Sequence, residues 1–196
     1  GYRSYFLDEE YRFQTHTRAP LIIDCGANVG VSVRYWKSIF PSARVIALEP
    51  DSDAFDALSR NVADLEGVRL INKAAWTAET TLDFAAAGND GGHLSSLTQR
   101  THPVPVVKVE AVRLRDLIDD RVSLLKIDIE GAELAVLRGA RQTIARMGDD
   151  GMVFVEMHPG VWRDQGLTAA DIINELAAQG LHAVPLRTVD DAWSLD

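Results

Sequence analysis

A chain of 196 residues that is 46% hydrophobic and 25% charged has the size of one compact domain and enough apolar side chain to bury a core. Its formal net charge of -9 argues against a nucleic-acid partner, which calls for a basic face to neutralise phosphates. No apolar run reaches the roughly 18 residues of a membrane span and no basic-then-hydrophobic leader opens the chain. A soluble protein with a small-molecule partner is expected, and the single cysteine, Cys25, excludes an intrachain disulfide and suits a reducing cytoplasm.

Residues 1–19 are polar and aromatic (Tyr2, Tyr5, Phe6, Tyr11, Phe13) and read as a short helix or lid on a domain spanning residues 20–196. From Pro20 onward, short apolar runs rich in β-branched residues alternate with amphipathic stretches, the pattern of repeated β-α units. The expected strands are Leu21–Asp24, Arg44–Leu48, Val68–Asn72, Leu124–Asp128, Met152–Met157 and His182–Leu186. Helices are expected over Val31–Phe40, stopped by Pro41, then Ser52–Leu65, Ala132–Met147 and Ala169–Gln179. In Ser52–Leu65 the apolar stripe is Phe55, Leu58, Val62 and Leu65 at helical spacing. Thr168 is the N-cap of the last helix and Gly180 follows its end. Ala74–Val112 breaks the rhythm with short strand-like pieces around Gly88-Asn89-Asp90-Gly91-Gly92 and reads as an insertion over the site. The fold class is doubly wound α/β: a mostly parallel sheet of six to seven strands with helices on both faces.

The most informative segment runs from Leu21 to Gly30, a buried strand entering the turn Gly26-Ala27-Asn28 and then a helix. Gly26 supplies backbone angles closed to other residues, Gly30 lets the helix start approach a ligand, and Asp24 can accept hydrogen bonds from a ligand ammonium. At the next strand end, Glu49-Pro50 places a carboxylate where it can accept from both ribose hydroxyls of an adenosine. The dinucleotide fingerprint is not met, because Asn28 stands where a second glycine would admit a pyrophosphate. No P-loop occurs.

Asp24-Cys25-Gly26-Ala27-Asn28-Val29-Gly30, Glu49-Pro50, and Leu125-Lys126-Ile127-Asp128-Ile129-Glu130-Gly131-Ala132-Glu133 with Val136-Leu137-Arg138-Gly139-Ala140 together resemble the FkbM family of class I methyltransferases. The likeness covers about Pro20 to Pro159. Cys25 departs from the family's usual small apolar residue, and the last strand of its sheet is not evident here. The resemblance implies a seven-stranded sheet, bound S-adenosylmethionine, and O-methylation of a small hydroxylated metabolite such as a sugar or polyketide-derived compound. Asp24, Gly26, Ala27, Asn28, Gly30, Glu49, Pro50 and Asp128 would then hold the cofactor.

Methyl transfer asks the protein to align an acceptor oxygen and remove its proton. Lys126, Asp128, Glu130 and Glu133 gather at one strand end, and Glu156 and His158 at the next, all near the crevice where such folds bind ligands. His158 is the favoured general base because imidazole titrates near neutrality; Asp128, Glu156 and Lys126 complete the catalytic candidates. Asp128, Glu156 and His158 holding Mg²⁺ is the less favoured alternative. The bland readings are that Lys126 pairs with a neighbouring carboxylate and that Glu130 and Glu133, an acidic pair opening a helix, complement its dipole. Ser95 and Ser96 suit either a surface turn or a ligand contact. His16, His93, His102 and His182 have no ligand spacing, Trp36 is core, and Trp76 is core or an adenine platform. The competing functions are a cofactor-binding module without turnover and an NAD-dependent oxidoreductase.

Overall fold

The structure, a computed structural model, describes residues 2–85, 93–94 and 106–185. Five parallel strands form the central sheet: β1 (Leu21–Cys25), β2 (Arg44–Leu48), β3 (Val68–Ile71), β8 (Leu124–Ile127) and β9 (Met152–Val155), in the order β3-β2-β1-β8-β9. The chain winds outward from β1 to β3 and returns on the other side of β1, so the order reverses between β1 and β8. Such a reversal opens a crevice at the carboxyl ends of the two strands.

The inner strands β1, β2 and β8 are buried on both sides, which is why they read as nearly continuous apolar runs and not as alternating ones. Ile22, Val45, Ala47, Leu124 and Phe154 face a layer that includes Tyr5, Phe13, Val33, Trp36, Leu58 and Val62. Ile23, Ile46, Leu48, Leu125 and Ile127 face the other layer, with Leu134, Leu137, Ile144, Trp162, Ile172 and Leu176. The first layer comprises α1 (Tyr2–Phe6), α2 (Val31–Ile39) and α3 (Ser52–Asn61), the second α4 (Glu133–Gly139), α5 (Arg141–Ile144), α6 (Pro159–Asp164) and α7 (Ala169–Ala178). Asp51 caps α3 by accepting from the N–H groups of Asp53 and Ala54 at 2.9 and 3.1 Å. In α7, Thr168 and Asp171 form a reciprocal capping box.

Between β3 and β8 lies a second sheet of β4 (Ala74–Ala75), β5 (Thr80–Ala85), β6 (His93–Leu94) and β7 (Val106–Val112), ordered β4-β7-β5-β6. The expected insertion is thus a small sheet. The glycine-rich segment Gly88–Gly92, Ser95, Ser96 and His102 lie outside the described residues.

Three expectations need correction. Ala132–Met147 is two helices: the chain tightens at Ala140 (φ −87°, ψ −3°), whose N–H is shared between the Val136 and Leu137 carbonyls, and Gly139 just before it packs so close to the Trp76 carbonyl that a Cβ there would sit 2.6 Å from its oxygen. No strand forms over residues 182–185: Gly180 turns the chain at φ +76°, Leu181 N–H bonds back to Leu176, and Leu181 and Ala183 pack on the core instead of joining a ladder. The parallel sheet therefore has five strands among the described residues, not six or seven. Helix α6, opened by Pro159, was not anticipated from the sequence. Among the described residues no helix is long and apolar enough to cross a membrane.

Candidate active site

Strand register builds the site. Cys25 stands opposite Leu48 and Ile127, and Ile127 opposite Val155. The residues that follow, Gly26, Glu49, Asp128 and Glu156, therefore leave four neighbouring strands side by side at the carboxyl rim. Gly26 has φ +83°, and a Cβ there would lie 1.8 Å from the Asp128 carbonyl oxygen, so the two loops can meet only because this residue has no side chain. A cleft opens here between Gly26 and Asn28, Glu49 and Pro50, Asp128 and Glu130, and an apolar wall of Trp76, Leu82 and Phe84 from the second sheet.

At the β2 end of the cleft, Glu49 is 6% exposed. Its Oε2 accepts from the Asn28 N–H at 2.8 Å and its Oε1 from the Asp51 N–H at 2.9 Å. Each oxygen retains a second lone pair for a ligand hydroxyl. Burial pushes this carboxyl up to about 7, against the two backbone donors that favour its charged form. The carboxylate, the apolar wall and the nearby Asp128 suit an adenosine-bearing cofactor with a cationic amino-acid tail.

Beneath the turn lies a buried charge cluster. Asp24 faces Lys126 across β1 and β8, and the Lys126 Nζ reaches Asp24 Oδ1 at 3.2 Å, Asp128 Oδ2 at 3.1 Å and the Gly26 carbonyl at 3.0 Å. Burial opposes the Lys126 charge, yet Asp24 and Asp128 together hold its pKa well above the usual ammonium value. Lys126 is 1% exposed and Asp24 is 0% exposed with its other oxygen taken by the Ser32 hydroxyl. Neither lines the cleft: Lys126 braces the turn from beneath, and Asp24 is held between Lys126 and Ser32. Of the charged groups in this cluster, Asp128 is the one that lines the cleft. Ala27 also belongs to the core, and Gly30, at φ +89°, packs against Leu58 of α3 and Val62 just beyond its end.

A second cluster closes the β9 side. His158 Nδ1 lies 2.6 Å from Glu133 Oε1, and its Nε2 lies 3.4 Å from Glu130 Oε2. Burial works against the imidazolium, but Glu133, Glu130 and Asp128 outweigh it and raise the His158 pKa to about 9. Ligand atoms of Asp128, Glu156 and His158 all fall within 4.8 Å of one another, a spacing that a divalent cation could bridge. Glu156 accepts a hydrogen bond from the Tyr11 hydroxyl at 2.9 Å, and Tyr11 stacks on Tyr5 with ring centroids 4.3 Å apart. Burial drives both phenols above their ordinary range.

Sequence reasoning missed Tyr5, Tyr11 and Trp162 as site residues, and it placed Glu133 near the crevice with the helix dipole as its role. The aromatic N-terminal stretch was visible but carried no register that would dock it against β9. His16 and His182 are exposed, while Trp36 is core.

A model of the methyltransferase FkbM domain matches residues 24–182. The chain is 29% identical over 173 residues to methyltransferase sdnD of Sordaria araneosa, covering 70% of this chain and 67% of that protein. It is 29% identical over 194 residues to the 31-O-demethyl-FK506 methyltransferase FkbM of Streptomyces tacrolimicus, covering 76% and 74%. Among solved structures, the methyltransferase FkbM of Methylobacillus flagellatus KT aligns with a TM-score of 0.60 at 20% identity, over 90% of this chain and 41% of that one. The chain thus corresponds to a part of each of these proteins, and with the domain match extending across most of its length it belongs to the FkbM methyltransferase family.

Proposed function

We propose that this chain is an S-adenosylmethionine-dependent O-methyltransferase acting on a hydroxyl of a small metabolite, a sugar or a polyketide-type alcohol. The observation that carries the reading is the rim itself: register alone lines up Gly26, Glu49, Asp128 and Glu156 across four strand ends at the switch point. Support for oxygen as the acceptor atom comes from the name of the Streptomyces tacrolimicus relative.

When bound, the cofactor supplies an electrophilic methyl on a sulfonium. Glu49 would anchor the ribose hydroxyls through its spare lone pairs, Trp76, Leu82 and Phe84 would exclude water from the base, and Asp128 would face the cationic tail. His158 would accept the acceptor's hydroxyl proton at Nε2, the ring nitrogen directed away from Glu133. With its pKa at about 9, the neutral base becomes more abundant as pH rises, so transfer should quicken up to that pH and then level.

A second reading is favoured by the convergence of Asp128, Glu156 and His158: a magnesium ion there would acidify the hydroxyl in place of a base. Both are tested by incubating the chain with methyl-labelled S-adenosylmethionine and a panel of methyl glycosides and polyketide alcohols. The base reading expects label in the acceptor, retained after EDTA dialysis and reduced about 10²-fold or more in H158A. Loss on dialysis with rescue by Mg²⁺ would select the metal reading, and full transfer by H158A without metal would sink both.

A further inference from the structure

Glu133 is the first residue of α4, a place where an acidic side chain ordinarily stays in water near the helix N-terminus. Here it is 0% exposed and meets three partners: the Gly131 N–H at 2.8 Å and His158 Nδ1 at 2.6 Å on Oε1, and the Trp162 indole N–H at 2.7 Å on Oε2. Trp162 lies one helical turn beyond His158, so α6 brings both onto the same carboxylate. A carboxylate removed from water is stable only when hydrogen-bond donors replace it, and these contacts fill three of its four lone-pair positions. An Nδ1 lone pair held 2.6 Å from a carboxylate oxygen would be repelled. Nδ1 must therefore carry the hydrogen, which leaves Nε2 as the atom directed outward, toward Glu130, Asp128 and Glu156.

We propose that Glu133 is a positioning residue, fixing the tautomer and the ring plane of His158 so that Nε2 is the nitrogen offered to the acceptor. The proposal rests on the reading of His158 as the base. In that step the hydroxyl proton would pass to Nε2 while the acceptor oxygen takes the methyl group, the electrons of the S–C bond remaining with the sulfur of the cofactor. The resulting imidazolium keeps its Nδ1–H on Glu133, whose charge offsets the positive charge as it develops. Trp162 and the Gly131 N–H hold the carboxylate still and touch neither reactant.

The test is ¹⁵N NMR of histidine-labelled protein at pH 10, where the ring is neutral, with the His158 signals assigned by their loss in H158N. The result expected is an Nδ1–H tautomer in the wild type and a shift toward the Nε2–H tautomer in E133Q. In parallel, E133Q should lower kcat for the acceptors found in the panel by about 10²-fold and leave S-adenosylhomocysteine affinity unchanged. W162F, which removes a donor from the same carboxylate but not the contact to histidine, should keep the tautomer. If E133Q does not fold, E133D makes the same comparison, its shorter side chain drawing the charge away from Nδ1. An Nε2–H wild type, or a tautomer indifferent to position 133, would overturn the proposal. A tautomer that depends on Glu133 alongside full transfer by H158N would instead uphold the positioning of the ring and defeat the base reading.

Discussion

Two buried carboxylates flank the crevice and differ in what they have left to give. Glu49, at the tip of β2, accepts one backbone N–H on each oxygen and still borders the cleft. Glu133, at the head of α4, has no exposed surface and is already held by a backbone amide, an imidazole and an indole. The same functional group therefore serves as a ligand acceptor in one place and as a fixed support in the other. What separates them is the number of donors the protein already supplies, together with access to the cleft.

The largest effect expected from disturbing this arrangement lies beneath both. Replacing Lys126 with Met leaves Asp24 buried with only Ser32 for a partner, and breaking a buried ion cluster in this way costs about 3–5 kcal/mol. Chemical denaturation should show that loss, and the uncharged double variant D24N/K126M should recover part of it. Glu49→Ala comes next. Removing hydrogen bonds to a charged group is worth about 1.5–3 kcal/mol, so S-adenosylhomocysteine should bind about 10- to 100-fold more weakly in titration calorimetry, while E133Q binds as the wild type does. Equal losses in the two variants would erase the distinction between the carboxylates.

A smaller effect follows from the Glu49 carboxyl standing at about 7 rather than 4.5. Between those values the folded protein keeps a proton that the unfolded chain releases, so this site favours folding at low pH and loses that advantage as pH rises through 7. Ribose hydroxyls need the anion as acceptor. Affinity should therefore climb with pH toward 7 and level above it, about tenfold from pH 6 to pH 8 if only the anion binds. A flat profile would mean that Glu49 is already ionised or that it does not meet the ligand.

Much of this was legible in the chain before folding. The inner strands β1, β2 and β8 announce themselves as apolar runs because both of their faces are covered, and Asp51 and Thr168 mark helix starts by their own side chains. The rim residues were legible too, since they stand at strand ends. What escaped depends on contacts between distant segments. Asp24 and Lys126 pair only once β1 and β8 are in register, and Tyr11 finds Glu156 across 145 residues. Gly139 packs against the Trp76 carbonyl, a contact that no helical periodicity contains. Glu133 looked like a dipole-complementing residue because α6, which delivers His158 and Trp162 to it, was not foreseen.

The central claim is that the rim between β1, β2 and β8 holds S-adenosylmethionine, and titration calorimetry of the chain with S-adenosylhomocysteine and, in a parallel cell, NADH tests it most directly. The account predicts micromolar binding of the former and none of the latter; binding of NADH, or of neither, would contradict it.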